Sequence, residues 1–440
     1  MDAATTDGKP LANNVERLGH LDLPGAGQVY VAGSHAYVGH LPNKAGLGTS
    51  VVDVSDPRAP KVVAQIGVND PESHSHKVRV VDGIMAVNVE RNNFGIGRKA
   101  EQLPPMRKRL EAELGRAATD RELADKLGVE EKDIAALEAS EIHEYLNGGF
   151  KLFDATDPAT PKEIVHHRTG GIGVHRFDMD ENYAYISTEM EGFTGNILVI
   201  YDIREPSRPR EVSRWWMEGQ NIAAGEAPTW EGRECRLHHA MREGDQLWAG
   251  VWQAGLRVID ISDIAHPRTV GAYNYHPPFP EPSHTFMRLP FPVAGREIAL
   301  AIDEEDQYYS PRDADARRGR PHACLWVFDV ADVSDMKPLA VYQGSESSTP
   351  WAETRGTRYG AHQFQEHFED TYVYCAWFSG GLRIVDVKDP LAPLEVGYYI
   401  PEPVAGAPAP QTNDVDTDAR GLVYLVDRFT GFDILEFARP

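Results

Sequence analysis

"LVIYDIREPSRP", residues 198–209, decides the fold. It opens on an apolar run, Leu198–Tyr201, that does not alternate, as a strand buried on both faces reads. Asp202 follows, and Glu-Pro then supplies a turn. The same grammar returns in "SVVDVSDPRAP" (50–60), "FKLFDATDPATP" (150–161), "LRVIDISDIAHP" (256–267), "LWVFDVADVSDMKP" (325–338), "LRIVDVKDPLAP" (382–393) and "FDILEFARP" (432–440). The shared acidic position is Asp53, Asp154, Asp202, Asp260, Asp329, Asp386 and Glu436, with successive gaps of 101, 48, 58, 69, 57 and 50 residues. The first gap holds one period plus an insertion of similar length. The chain therefore has seven repeats, each the size of a propeller blade. Each period also offers further short strands, such as "HRFDMD" and "AYISTE" (residues 175–180 and 184–189). Four strands per period imply an all-β chain, a seven-bladed β-propeller with a small α-helical insertion in the second blade. The propeller is expected over residues 1–92 and 148–440, and the insertion over 93–147. "ERLGHLDL", residues 16–23, has the character of the outer strand that the last repeat lacks. It is expected to close the last blade.

The segments "LRIVDV" and "LVIYDI" resemble the LVIVD-repeat propeller family. That resemblance covers nearly the whole chain outside residues 93–147 and implies the fold. Function has to come from a site, because one fold hosts many activities.

Composition narrows the classes. The 440 residues carry 41% hydrophobic and 25% charged side chains and a formal net charge of −23. So acidic a chain is no general phosphate-backbone binder, and no nucleic-acid partner is expected. No apolar run reaches about 18 residues, so no membrane partner is expected. Cys235, Cys324 and Cys375 are widely spaced without a C-x-x-C pair. With no secretory leader pattern at the start, the expected location is cytoplasmic.

Residues 99–141 have helical periodicity, with a capping box between Thr119 and Glu122 and Gly128 ending a helix. The stretch "GRAATDRELADKLGVEEKDIAAL" (115–137) resembles the helix-turn-helix of sigma-factor region 3. Its second helix carries Glu130, Glu131, Asp133 and Glu138 against Lys132, which repels phosphates. The insertion is therefore expected to act as a lid, a homodimer contact or a partner-protein surface.

Histidine carries the functional signal. Aligned on the turn after the innermost strand, the residue before that strand is His76, His175, His239, His284 and His362 in five of seven repeats. Gly27 and Asn413 occupy the other two. Inner strands line the channel, so these imidazoles should converge near the axis. His238 should point away from it, by strand alternation. Neutral imidazoles suit iron, copper, zinc or nickel. At the end of the next strand stand Glu90, Glu189 and Glu304, with Gln253 in register, placed to accept the second N–H of metal-bound histidines. The layout resembles the iron(II) site of carotenoid-cleavage oxygenases and that of selenium-binding-protein propellers. It implies that such a ring can hold a redox metal with open positions.

The expected function is a metal-dependent enzyme acting on a small organic substrate. Fe(II) is the first choice, with Zn, Mn or Cu as alternatives, and oxygenase-like oxidoreductase chemistry is favoured. A metal-dependent hydrolase, lyase or isomerase is one alternative; a scaffold for protein partners is the other. Glu90, Glu189, Glu304 and Arg91 are the candidate catalytic groups. Asn93, Trp252, Gln253, Tyr308, Trp377, Phe378 and Arg428 are the candidate substrate contacts. Neighbouring loops add Asn92, Arg233, Arg236, Asp303, Tyr309 and Arg312.

Overall fold

A computed structural model describes residues 9–92, 96–127, 129–139, 145–230, 234–306 and 321–440. Its strands form seven antiparallel sheets that succeed one another along the chain as the blades of a propeller. The third blade shows the plan: Val174–Met179 innermost, then Tyr183–Thr188, Ile197–Asp202 and Arg210–Trp215 outermost. The two middle strands are buried almost throughout, while the outermost is half-exposed. That gradient explains the unbroken apolar runs in the sequence. A middle strand meets neighbouring blades on both faces, so neither face alternates with water.

The acidic residue of the repeat has a local task. Asp53, Asp154, Asp202, Asp260, Asp329 and Asp386 each accept the backbone N–H two residues on, at 2.8–3.1 Å. These Asx turns fix the exit from the third strand toward the fourth.

The chain's two ends meet twice. Val15–Leu21 pairs with Gly431–Phe437, which makes it the outermost strand of the seventh blade. Leu11–Asn13 pairs with Leu394–Ile400 and adds a fifth strand to the sixth blade. One N-terminal segment thus bridges two adjacent blades.

The second blade carries the insertion between Ile84–Arg91 and Gly149–Asp154. Among the described residues its helices are Ile96–Leu114, Asp120–Leu127 and Ile134–Glu138. The Thr119–Glu122 capping box is formed: Thr119 N–H donates to Glu122 at 2.9 Å, and Glu122 N–H to Thr119 Oγ1 at 3.3 Å. Leu103, Leu110, Leu123, Leu127, Ile134 and Leu137 give these helices a small core of their own. Gly128 lies outside the described residues.

Removing residues 1–21 should lower the thermal midpoint of the whole ring, read by scanning calorimetry, because two blades lose their outermost strands. An unchanged midpoint would contradict closure by this segment. Asp386→Ala should cost about 1 kcal/mol in denaturant unfolding while Asp386→Asn costs much less, since Asn keeps the acceptor.

Candidate metal centre

A common register builds the site. In each blade an inner-strand residue faces a second-strand partner: Val29 and Val38, Val78 and Val87, Phe177 and Ile186, Ala240 and Ala249, Phe286 and Ala301, Phe364 and Cys375, Val415 and Leu425. Two residues before the first partner stand Gly27, His76, His175, His238, His284, His362 and Asn413. Three residues after the second stand Leu41, Glu90, Glu189, Trp252, Glu304, Phe378 and Arg428. These two rings supply most of the wall of one cavity of about 140 Å³, to which His74, Lys77, Arg236, Asp306 and Arg358 are added.

The register corrects two sequence expectations. His238, not His239, is the fourth-blade member of the inner ring. Gly27, His175, His284 and Asn413 each sit in a one-residue register shift, a bulge that interrupts the pairing. In the fourth blade His238 N–H donates to Gly250 O at 2.9 Å while His239 also pairs with Gly250. Strand alternation fails across such a step, so both imidazoles remain at the channel, one layer apart. His239 lies in the lower layer, where its Nδ1 accepts from Arg176 Nε at 3.1 Å. The second-strand position of the same blade is likewise Trp252 and not Gln253. Gln253 instead accepts the Glu234 N–H at 2.9 Å, away from the cavity.

Other candidates divide. Trp252 lines the cavity and stacks on His238, with ring centroids 5.4 Å apart at 22°. Phe378 stacks on His362 at 4.8 Å and 28°, and Arg358 and Arg428 lie over its ring. Trp377, one residue earlier, packs in the blade core. Glu189 shares the register of Glu90, but its carboxylate turns back to accept the Ile172 N–H at 3.1 Å and does not line the cavity. Arg91 is buried against the Tyr145 ring, outside the cavity wall. Asn92 donates to Pro71 O, and Asp303 accepts from Tyr275 and Trp326 inside the fifth blade. Asn93, Arg233, Tyr308, Tyr309 and Arg312 lie outside the described residues.

Hydrogen bonds fix the proton on each imidazole. His175 Nδ1 meets the Glu90 carboxylate at 2.9 Å, so Nδ1 carries the hydrogen. His238 Nδ1 donates to His284 O at 3.0 Å, and His362 Nδ1 donates to Asn413 O. Thr285 gives its one hydroxyl hydrogen to Gln363 Oε1 at 2.6 Å and therefore accepts from His284 Nδ1 at 2.9 Å. All four Nε2 atoms are left with a bare lone pair. His76 differs: Asn88 Nδ2 approaches its Nδ1 at 3.3 Å. Asn88 cannot turn over, because its Oδ1 accepts the Lys77 N–H at 2.8 Å. His76 thus carries its hydrogen on Nε2.

Two consequences follow for charge. Burial pushes His76, His238, His284 and His362 well below the usual imidazole range, so all four are neutral near pH 7. His175 is also lowered by burial, with Glu90 opposing. Burial raises the Glu90 and Glu304 carboxyls, but nearby cations and imidazoles outweigh it. His175 and His74 leave Glu90 well below the carboxylate range, and His362, Arg358 and Arg428 hold Glu304 at about 2. Glu304 accepts from Arg358 at 2.5 Å and lies 3.8 Å from both His284 Nε2 and His362 Nε2. His74, two residues before His76, places Nε2 3.4 Å from Glu90.

Below the imidazoles lies a layer of buried charged residues. Arg79 pairs with Asp178 at 3.0 Å and with Glu366, and Arg176 pairs with Glu366 at 2.6 Å. Lys77 and Asp414 lie in the same layer, both buried; burial lowers the first and raises the second, each favouring its neutral form.

The LVIVD repeat model matches residues 25–66, 177–215, 243–275 and 369–400, within the first, third, fourth and sixth blades. No curated protein sequence matches the chain. Among solved structures, a chain of the mitotic checkpoint complex is similar at a TM-score of 0.52 with 8% identity, over 96% of this chain and 90% of that one. A computationally designed protein, Ika8, reaches 0.48 with 10% identity, over 95% and 98%. Likeness at such identities concerns the fold alone. The chain is a seven-bladed β-propeller in which four blades match the LVIVD repeat.

Proposed function

We propose that His175, His238, His284 and His362 hold one divalent transition metal at the channel mouth, and that the chain is a metal-dependent enzyme acting there on a small organic molecule. One observation carries the reading. His175 Nε2 and His238 Nε2 stand 2.9 Å apart, and the hydrogen bonds at their Nδ1 atoms leave both with lone pairs facing each other. Such a contact needs a cation between the two nitrogens, either a proton on a His175 imidazolium held against Glu90 or a metal ion; the bare Nε2 atoms of His284 and His362 in the same wall favour the metal. Two donors bonded at about 2.0–2.1 Å to one ion, at a right angle, stand about 2.9 Å apart. His284 Nε2 is buried in the same cavity wall with no hydrogen-bond partner. Acceptors at every Nδ1 are the outer support expected of metal-bound histidines.

An all-imidazole donor set leaves a divalent metal its full charge and open positions, which suits oxygen activation by Fe(II) and favours an oxidoreductase. The rest of the wall handles the substrate. Trp252 and Leu41 offer apolar surface, and Arg236 lies over the Trp252 ring at 4.3 Å. Arg358 and Arg428 bring positive charge to the mouth and favour a substrate bearing oxygen acceptors. His76, with its hydrogen on Nε2, offers a hydrogen-bond donor beside the imidazole cluster.

Protein purified without an affinity tag and reconstituted with Fe(II) or Zn(II) should hold one equivalent of metal by elemental analysis. Alanine at His175, His238, His284 or His362 should abolish most of it, whereas His239→Ala and His76→Ala should leave it in place. Failure of the wild type to bind metal, or equal loss from His238→Ala and His239→Ala, would overturn the assignment. Glu90→Gln should weaken metal affinity by about tenfold to a hundredfold, because His175 loses its carboxylate partner. Competition with a chelator reads that change, and an unaltered affinity would contradict the role given to Glu90.

A further inference from the structure

A second cavity, of about 170 Å³, lies at the seam between the first and second blades. Ile66, Val68, Val87, Val89 and Phe153 give it apolar walls. Four polar atoms in the same wall are buried without a hydrogen-bond partner: Thr49 Oγ1, His74 Nδ1, Ser75 Oγ and His166 Nε2. Thr49, His74 and Ser75 are only 1%, 4% and 6% exposed. Folded proteins pair nearly all such groups, so four orphans around one cavity mark it as built for an occupant.

The polarity of these atoms selects the occupant. His74 places its Nε2 against the Glu90 carboxylate, so Nε2 carries the hydrogen and Nδ1 is a bare acceptor. His166 bonds the Asn147 backbone through its other nitrogen, which leaves Nε2 an acceptor as well. The two hydroxyls can donate or accept. A carboxylate or phosphate would face two imidazole lone pairs. Lys151, the basic residue of the wall, is already paired with Glu163 at 2.8 Å, and Asp70 is engaged by hydrogen bonds from Ser73 at 2.6 Å and Asn147 at 2.8 Å. An anion therefore finds no free countercharge among these groups. A hydroxylated molecule of about one ring, with an apolar body, satisfies the donors, the acceptors and the walls together.

We propose that this seam cavity binds a small uncharged hydroxylated molecule, such as a phenol or diol, which donates hydrogen bonds to His74 Nδ1 and His166 Nε2. His74 lines both cavities. Its Nε2 and the Nδ1 of His175 share the Glu90 carboxylate, at 3.4 and 2.9 Å. An occupant of the seam is thus three hydrogen bonds from an imidazole of the first cavity. Donation to His74 strengthens its hold on Glu90 and weakens the claim of His175 on the same carboxylate. This link to the first cavity rests on the metal reading; binding in the seam does not.

The test uses the full-length, metal-free chain labelled with ¹⁵N in histidine, with resorcinol as the probe and toluene as its counterpart lacking hydroxyls. Resorcinol should shift the His74 Nδ1 and His166 Nε2 resonances saturably, and toluene should bind about tenfold more weakly or not at all. Thr49→Val combined with Ser75→Ala should weaken resorcinol by a further several-fold, the fold being checked by circular dichroism. His238→Ala protein should bind resorcinol as the wild type does, which separates this site from the metal. No saturable shift in wild-type protein, or equal binding of toluene, would overturn the proposal and leave the cavity to water.

Discussion

One extra residue at the start of the inner strand is the constraint on which the site depends. An undisturbed strand turns alternate side chains to opposite faces. A bulge breaks that rule once in the inner strands of the first, third, fifth and seventh blades, and in the fourth His238 and His239 share Gly250, so two successive residues both remain at the channel. The first joins the imidazole ring and the second joins the layer beneath. In the third blade these are His175 and Arg176, in the fourth His238 and His239, in the fifth His284 and Thr285. The step thereby stacks the neutral imidazoles directly on the layer that holds Arg176. Close packing between blades holds this in place: a Cβ on Gly250 would come within 2.4 Å of His284 O.

The same step explains what was legible in the sequence. The blades announce themselves through the unbroken apolar runs and the Asp-Pro turns, because burial on both faces and an Asx turn each leave a residue-type signature. That five of seven inner positions are histidine is also readable. Which of the two histidines in "RLHHAM" faces the mouth is not, since a bulge changes no residue type. The error carries over to the second strand, where Gln253 has the plausible chemistry and Trp252 has the position. Glu189 shows the opposite failure: its register is right, but a loop N–H captures the carboxylate. His74 was visible only as a neighbour of His76, because no period marks the short extra strand Ser73–His74 that carries it.

Tautomers turn this geometry into chemistry. Four imidazoles reach the cavity by similar routes, yet what they offer is set by the atoms behind them: a carboxylate, two backbone carbonyls and a threonine hydroxyl. Each acceptor fixes Nδ1–H and so bares Nε2. His76 is excluded by Asn88, a donor at the corresponding place. Burial lowers the affinity of these rings for protons, which removes the main competitor of a metal ion. Arg176 in the layer below raises the cost of imidazolium at His76, His238 and His284 further.

X-ray absorption at the metal edge of reconstituted protein is the most direct measurement of the central claim. The account predicts a first shell dominated by nitrogen, with the outer-shell scattering of four imidazoles. That scattering should fall to three in His238→Ala and remain four in His239→Ala. A shell of oxygen donors alone, or an imidazole count untouched by loss of His238, would contradict it.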